Sequence, residues 1–170
     1  MPEDAAEWLY AFVGASDTFP ACIVISDMAI AGNPMFYVNQ EFCNTTGYAK
    51  KEAMGRNCRF LQGPRTEPAS VAVIQDTLRR GVDCHVRLTN YRKNGETFSV
   101  EFTLDEVRIS DNEQILMANV RDITEEVESI KQTTIHEAII NLNPVPLLVT
   151  NTLGIIQKIS PAAETALGYK

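Results

Sequence analysis

The sequence has no apolar run approaching the ~20 residues that span a bilayer, and its start, Met1-Pro2-Glu3-Asp4, carries acid where an export signal carries base. A soluble, cytoplasmic chain with no membrane contact is the expectation. Massed positive charge is missing too. Fifteen Lys and Arg stand against 22 Asp and Glu, leaving a net charge of -7 and a pI near 4.8. The cations are scattered, whereas nucleic-acid backbones are gripped by concentrated cationic patches, so direct nucleic-acid binding is not expected. The four cysteines, Cys22, Cys43, Cys58 and Cys84, form no CxxC pair and no metal spacing, and His85 falls on the opposite face of any strand that holds Cys84. They are expected as free thiols in a reducing compartment, without a metal. A nucleophile-base pair and a phosphate loop are likewise absent, which argues against an enzyme in the turnover sense.

What is present suffices for one domain with about a third of the chain over, since 45% of the 170 residues are hydrophobic. Trp8, Leu9, Phe12 and Val13 recur at helical spacing and predict an amphipathic cap within residues 1–19. Residues 22–26 read as a buried strand, 27–33 as a turn, and 35–38 as the second strand of a hairpin. Asn39 is placed to cap a short helix ended by Gly47. A longer helix starts at Thr66-Glu67-Pro68 and runs to Arg80, with Gly81 closing it. Three strands follow at 83–92, 96–109 and 114–122, separated by turns at Asn94-Gly95 and Asp111-Asn112. The expectation is an α+β fold: a five-stranded antiparallel sheet with helices over one face, flanked by N-terminal and C-terminal helices. Phe98, Val100, Phe102 and Leu104 alternate along their strand, so one face is buried by core or by a planar ligand.

From Thr124 the texture changes. Glu125, Glu126, Glu128 and Lys131 intersperse with Val127 and Ile130, then Ile135, Ala138, Ile139 and Leu142 continue the apolar stripe, a connector helix within 124–143. The stripe is shorter than the three or more heptads of a coiled coil; folding back onto the sheet is the other fate. After Pro144, Pro146-Leu147-Leu148-Val149-Thr150-Asn151 echoes residues 20–27, and 159–170 echo 38–50 through a closing Gly168-Tyr169. Residues 144–170 thus read as the start of a second domain of the same kind, without the later strands that close a core.

The run Gly55-Arg56-Asn57-Cys58-Arg59-Phe60-Leu61-Gln62-Gly63-Pro64 brings a sulfur, two amides and a fixed cation within two helical turns. A lone cysteine more often packs as a small hydrophobe, but this company argues for a ligand site. The run resembles, nearly letter for letter, the GxNCRFLQ signature of light-oxygen-voltage (LOV) domains, flavin-binding blue-light sensors of the PAS superfamily. Asn33-Pro34, Thr46-Gly47-Tyr48 and Asn90-Tyr91-Arg92-Lys93-Asn94-Gly95 stand at the family's intervals. The resemblance covers residues 20–123, the expected LOV domain.

The resemblance implies a bound flavin, FMN with FAD or riboflavin as alternatives, whose C4a carbon takes Cys58 in a reversible bond under blue light while N5 takes a proton. It assigns Arg59 to the flavin phosphate, and Asn57, Gln62 and Asn90 to the ribityl chain and pyrimidine edge. Val24, Ser26, Asn33, Leu61, Val71, Ile74, Leu88, Phe102, Leu104, Leu116 and Ala118 match pocket-wall positions. Three points depart from the pattern. Gln75 stands where the family has a second phosphate arginine, with Arg79 one turn later as a substitute. Val100 replaces a second pyrimidine-edge asparagine, and Val120 the glutamine that carries the signal. Two lost hydrogen bonds at about 0.5–1.5 kcal/mol each weaken flavin binding by about ten- to a hundredfold. With Val120 unable to turn an amide, Asn90, Gln62 or a water near Val120 is left to sense N5, and the signal reaches Ile123 by repacking. Two readings therefore stand: a photoreceptor module relaying to a downstream effector domain, homodimeric through Trp8, Leu9, Phe12 and the connector helix; or a PAS-type sensory or dimerisation module with weak or no flavin binding.

Overall fold

In β4 (Thr97–Ser110) the side chains of Phe98, Val100, Phe102 and Leu104 are buried while Thr103 is exposed, so the alternation becomes one apolar face. The computed structural model describes residues 5–110 and 113–168. β4 pairs antiparallel with β3 (Cys84–Tyr91), Leu88 opposite Val100, and with β5 (Glu113–Asp122), Phe102 opposite Val120. β1 (Cys22–Asp27) adds to the far side of β5, with Val24 opposite Ala118, and β2 (Met35–Val38) closes that edge. The five strands run β2-β1-β5-β4-β3, all neighbours antiparallel. The Asn94-Gly95 turn joins β3 to β4, its glycine at φ 87 where a side chain is strained. The turn expected at Asp111-Asn112 lies outside the described residues.

β1 is buried on both sides. Cys22 and Val24 face the layer formed by α2 (Gln40–Thr46), α3 (Lys50–Ala53), a 3-10 helix (Cys58–Leu61) and α4 (Pro68–Arg80), whose Phe42, Ala53, Leu61, Ile74 and Leu78 share that cluster. Ile23 and Ile25 point the other way. There α1 (Ala5–Ser16) covers them with Leu9, Phe12 and Val13. Within this unit the sheet thus carries helices on both faces, with α1 at the back.

Asn39 ties three elements together. It is fully buried; its Nδ2 donates to Ser16 O (2.9 Å) and Ala21 O (2.8 Å), and its Oδ1 accepts from Ile23 N (2.9 Å) and Phe42 N (3.1 Å). It thereby caps α2 and fixes both ends of the approach to β1.

A second unit begins at Glu125. It holds α5, which starts at the junction (Thr124–Leu142), a two-stranded antiparallel hairpin of β6 (Leu148–Thr150) and β7 (Ile156–Ile159), and α6 (Pro161–Leu167). Ile130, Ile135, Ile139 and Leu142 of α5 are exposed. No helix among the described residues is long and apolar enough to cross a membrane.

Removing the Asn39 amide strands buried groups that cost about 1–3 kcal/mol each when unpaired. Asn39→Ala is expected to lower the unfolding free energy by about 3 kcal/mol in denaturant titration; a loss below about 1 kcal/mol would show the hub to be dispensable.

Candidate ligand-binding site

Between the sheet and the helical layer lies a cavity of about 130 Å³. Its sheet wall comes from Val24 and Ser26 of β1, Leu88 and Asn90 of β3, Phe102 and Leu104 of β4, and Leu116, Ala118 and Val120 of β5. Asn57, Cys58, Arg59, Leu61 and Gln62 line it from the 3-10 helix and its flanks, Val71, Ile74 and Gln75 from α4, and Asn33 from the β1–β2 loop.

Two residues expected in the site are elsewhere. Val100 is fully buried but packs among Leu88, Phe98 and Phe102, its short side chain ending within that cluster rather than at the cavity surface. Arg79 is exposed, with its Nε donating to Gln75 O at 3.3 Å, and it does not line the cavity. Conversely, Cys22, Phe42, Thr45, Thr46, Leu78 and Phe98 complete the wall. Periodicity carried three of them: Cys22 lies two residues before Val24 on one strand, Phe98 shares the alternation of Phe102, and Leu78 follows Ile74 by one helical turn. The α2 residues carried no comparable signal.

The 3-10 helix is built by Asn57. Its Oδ1 accepts from Arg59 N and Arg59 Nε, both at 3.0 Å, and its Nδ2 donates to Gly32 O (2.5 Å) and Asn33 O (3.3 Å). Both halves of this amide are thus engaged with the protein, pinning the signature segment to the loop where Asn33 takes φ 49, a left-handed value that asparagine tolerates. Asn90 differs. It is 2% exposed, and its Oδ1 has no hydrogen-bond partner. Such an atom costs about 1–3 kcal/mol if left dry, a penalty that a ligand N–H or O–H removes.

Cys58 is half-buried and shows surface to the cavity. Burial pushes its thiol pKa up, with Arg59 opposing. At neutral pH the group is therefore S–H, a proton carrier as well as a nucleophile in waiting. Its sulfur lies 3.9 Å from Asn57 Oδ1. Apolar walls, one orphaned acceptor and one protonated thiol suit a flat, mostly apolar ligand with an N–H edge. All four cysteines are free, and no group of three or more metal-binding side chains occurs among the described residues.

Comparison with known proteins gives this arrangement a family. The PAS-domain pattern matches residues 20–125. A solved light-oxygen-voltage domain, studied with a flavin analogue, shares 35% identity and superposes with a TM-score of 0.63, covering 77% of this chain and 96% of its own. The chain belongs to the LOV family of PAS domains. The LOV domain of an Erythrobacter litoralis blue-light-activated histidine kinase is 30% identical, with a TM-score of 0.59 over 62% of this chain and 98% of that one. A blue-light photoreceptor of Listeria innocua is 39% identical over 105 residues, 61% of this chain and 41% of the relative. The LOV chain thus spans less than half of that curated relative.

A desolvated thiol resists deprotonation, so alkylation of Cys58 by iodoacetamide should be slow and its rate should still be climbing at about pH 9, followed by peptide mass spectrometry. A plateau below about pH 8 would mean that Arg59 outweighs burial.

Proposed function

We propose that this chain is a blue-light photosensory module that binds a flavin in the cavity and forms a reversible bond from Cys58 to the flavin C4a carbon. The observation that carries the reading is the meeting, in one mostly apolar cavity, of the free Cys58 thiol with a buried carboxamide oxygen that lacks a donor. A flavin ring is flat and apolar on its faces, and its pyrimidine N–H is the donor that Asn90 Oδ1 lacks. When bound, the flavin supplies blue absorption and an excited state open to a thiol. Cys58 would supply both the sulfur and the proton of the addition, the sulfur toward C4a and the proton toward N5, and would take both back in the dark. Gln62 and Asn90 hold the polar edge, and Leu61, Phe102, Leu116 and Val120 keep water away. FMN is the flavin proposed, with Arg59 toward its phosphate.

With valine at 120, the change at N5 is read by Asn90 or Gln62 and passed on by repacking. Val120 pairs with Cys22 and Phe102, and directly after the β4–β5 pairing ends at Asp122, Ile123 is 2% exposed with its N–H on Ser99 O at 2.9 Å, at the threshold of α5. Val120 is also what favours the second reading, a PAS-type sensory or dimerisation module with weak or no flavin binding, because valine itself offers a ligand no hydrogen bond.

The output belongs to further domains of a longer protein, reached through α5. Residues 144–170 are proposed as the opening of a second PAS-like domain, supported by a repeat of hydrogen bonds. Ile23 N–H donates to the side chain of Asn39, whose own N–H donates back to Ile23 O at 3.1 Å. Leu147 N–H donates likewise to Ser160 Oγ at 2.9 Å, and Ser160 N–H back to Leu147 O at 3.0 Å. Both residues cap the next helix, and left-handed glycines, Gly47 (φ 77) and Gly168 (φ 72), end those helices. Leu9 and Phe12 cover β1 of their own domain, so a homodimer would use the exposed Ile130, Ile135, Ile139 and Leu142 of α5. Four free thiols suit a reducing, cytoplasmic setting.

The absorption spectrum tests the core of this reading. A structured flavin band should bleach under blue light and recover in the dark, and Cys58→Ala should keep the band but lose the bleach; a chain that stays colourless with excess flavin defeats it. For the relay, Asn90→Ala or Gln62→Ala should blunt the light-induced change in hydrogen exchange of α5, and an unaltered response in both would remove these residues from the path.

A further inference from the structure

We infer that this site selects its flavin by the ring and scarcely by the terminal phosphate, so that riboflavin, FMN and FAD all bind within about tenfold of one another. The inference rests on the flavin reading above and concerns the rim of the same cavity. Of the residues lining it, only Arg59 and Gln75 are exposed; every other one is buried or half-buried. The opening therefore lies between the 3-10 helix and α4, and the polar tail of a ligand seated against Asn90 must leave there.

The rim offers that tail little charge. Arg59 is the one cation among the lining residues, and its Nε is already engaged by Asn57 Oδ1 at 3.0 Å, so only its terminal amino groups face outward. Gln75 across from it contributes a dipole, not a charge. The next cations along α4 do not make up the difference. Arg79 holds the backbone oxygen of Gln75 at 3.3 Å and lies off the lining, and Arg80 is paired with Asp76 at 2.9 Å. One arginine in open solvent is screened and gains about tenfold at most from an ion pair. The exposure of both rim residues sets no steric limit at the rim on a tail longer than a monophosphate, such as the adenylate of FAD.

Calorimetric titration of the flavin-free chain with riboflavin, FMN and FAD at one ionic strength, beside a Gln75→Arg variant, tests this. Gln75 is exposed on α4, so the substitution leaves the core untouched. The expected result is three dissociation constants within about tenfold in the wild type, with Gln75→Arg tightening FMN and FAD by about tenfold or more, salt-dependently, and leaving riboflavin unchanged. A wild-type preference for FMN over riboflavin beyond about tenfold overturns the inference while leaving the flavin reading intact. A Gln75→Arg variant with unchanged ratios overturns it as well. Failure of all three flavins to bind defeats the flavin reading itself, and this inference with it.

Discussion

A carbonyl oxygen buried without a donor is the constraint around which this domain turns. Asn90 lies one residue before the end of β3, opposite Phe98 in the β3–β4 ladder, where its buried Oδ1 faces the cavity without a hydrogen-bond partner. The free energy of that orphan is recovered only by something that enters the cavity. The cavity in turn exists because the apolar face of β4 and β5 is bridged, not filled, by the helical layer: Phe42, Leu61, Ile74 and Leu78 close over it from the opposite side.

Three asparagines show how the fold divides its amides. Asn39 and Asn57 have their polar atoms engaged with backbone or with Arg59, and each shapes a helix start and a loop. Asn90 alone of these three keeps an unsatisfied acceptor. Cys58 follows from the same arrangement: the Asn57 cap orients the 3-10 helix that carries it, and enclosure keeps its proton on. A thiolate there would face the cost of charge in a dry site, and Arg59, half turned to solvent, offsets only part of it.

The sheet was legible because its strands alternate cleanly and its turns carry Asn-Gly and capping residues; Phe98 to Leu104 and the Asn39-to-Gly47 helix are the clearest cases. Strand β1 was legible as buried, but not as buried on both faces, since a continuous apolar run does not tell which side each partner will cover. Hence the amphipathic cap was legible in Trp8 to Val13 but its seat was not, and the contact of Leu9, Phe12 and Val13 with Ile23 and Ile25 needed coordinates. Within the site, spacing along the signature segment marked Asn57 to Gln62 as a unit. It could not show that Val100, flanked by two phenylalanines of the same face, ends behind them, nor that Arg79 turns back onto the carbonyl of Gln75 and off the rim. Phe42, Thr45 and Thr46 reach the cavity because α2 crosses it, a fact of tertiary packing with no counterpart in local pattern.

The central claim is that Cys58 waits in the dark as a protonated thiol beside a flavin and gives up both sulfur and proton to it. Infrared difference spectroscopy of the flavin-loaded chain reads that proton directly through the S–H stretch, with Cys58→Ser assigning the band. The account predicts an S–H band from Cys58 in the dark that vanishes under blue light and returns as the flavin absorption recovers. A dark state without that band, or a band that blue light leaves unchanged, would contradict it.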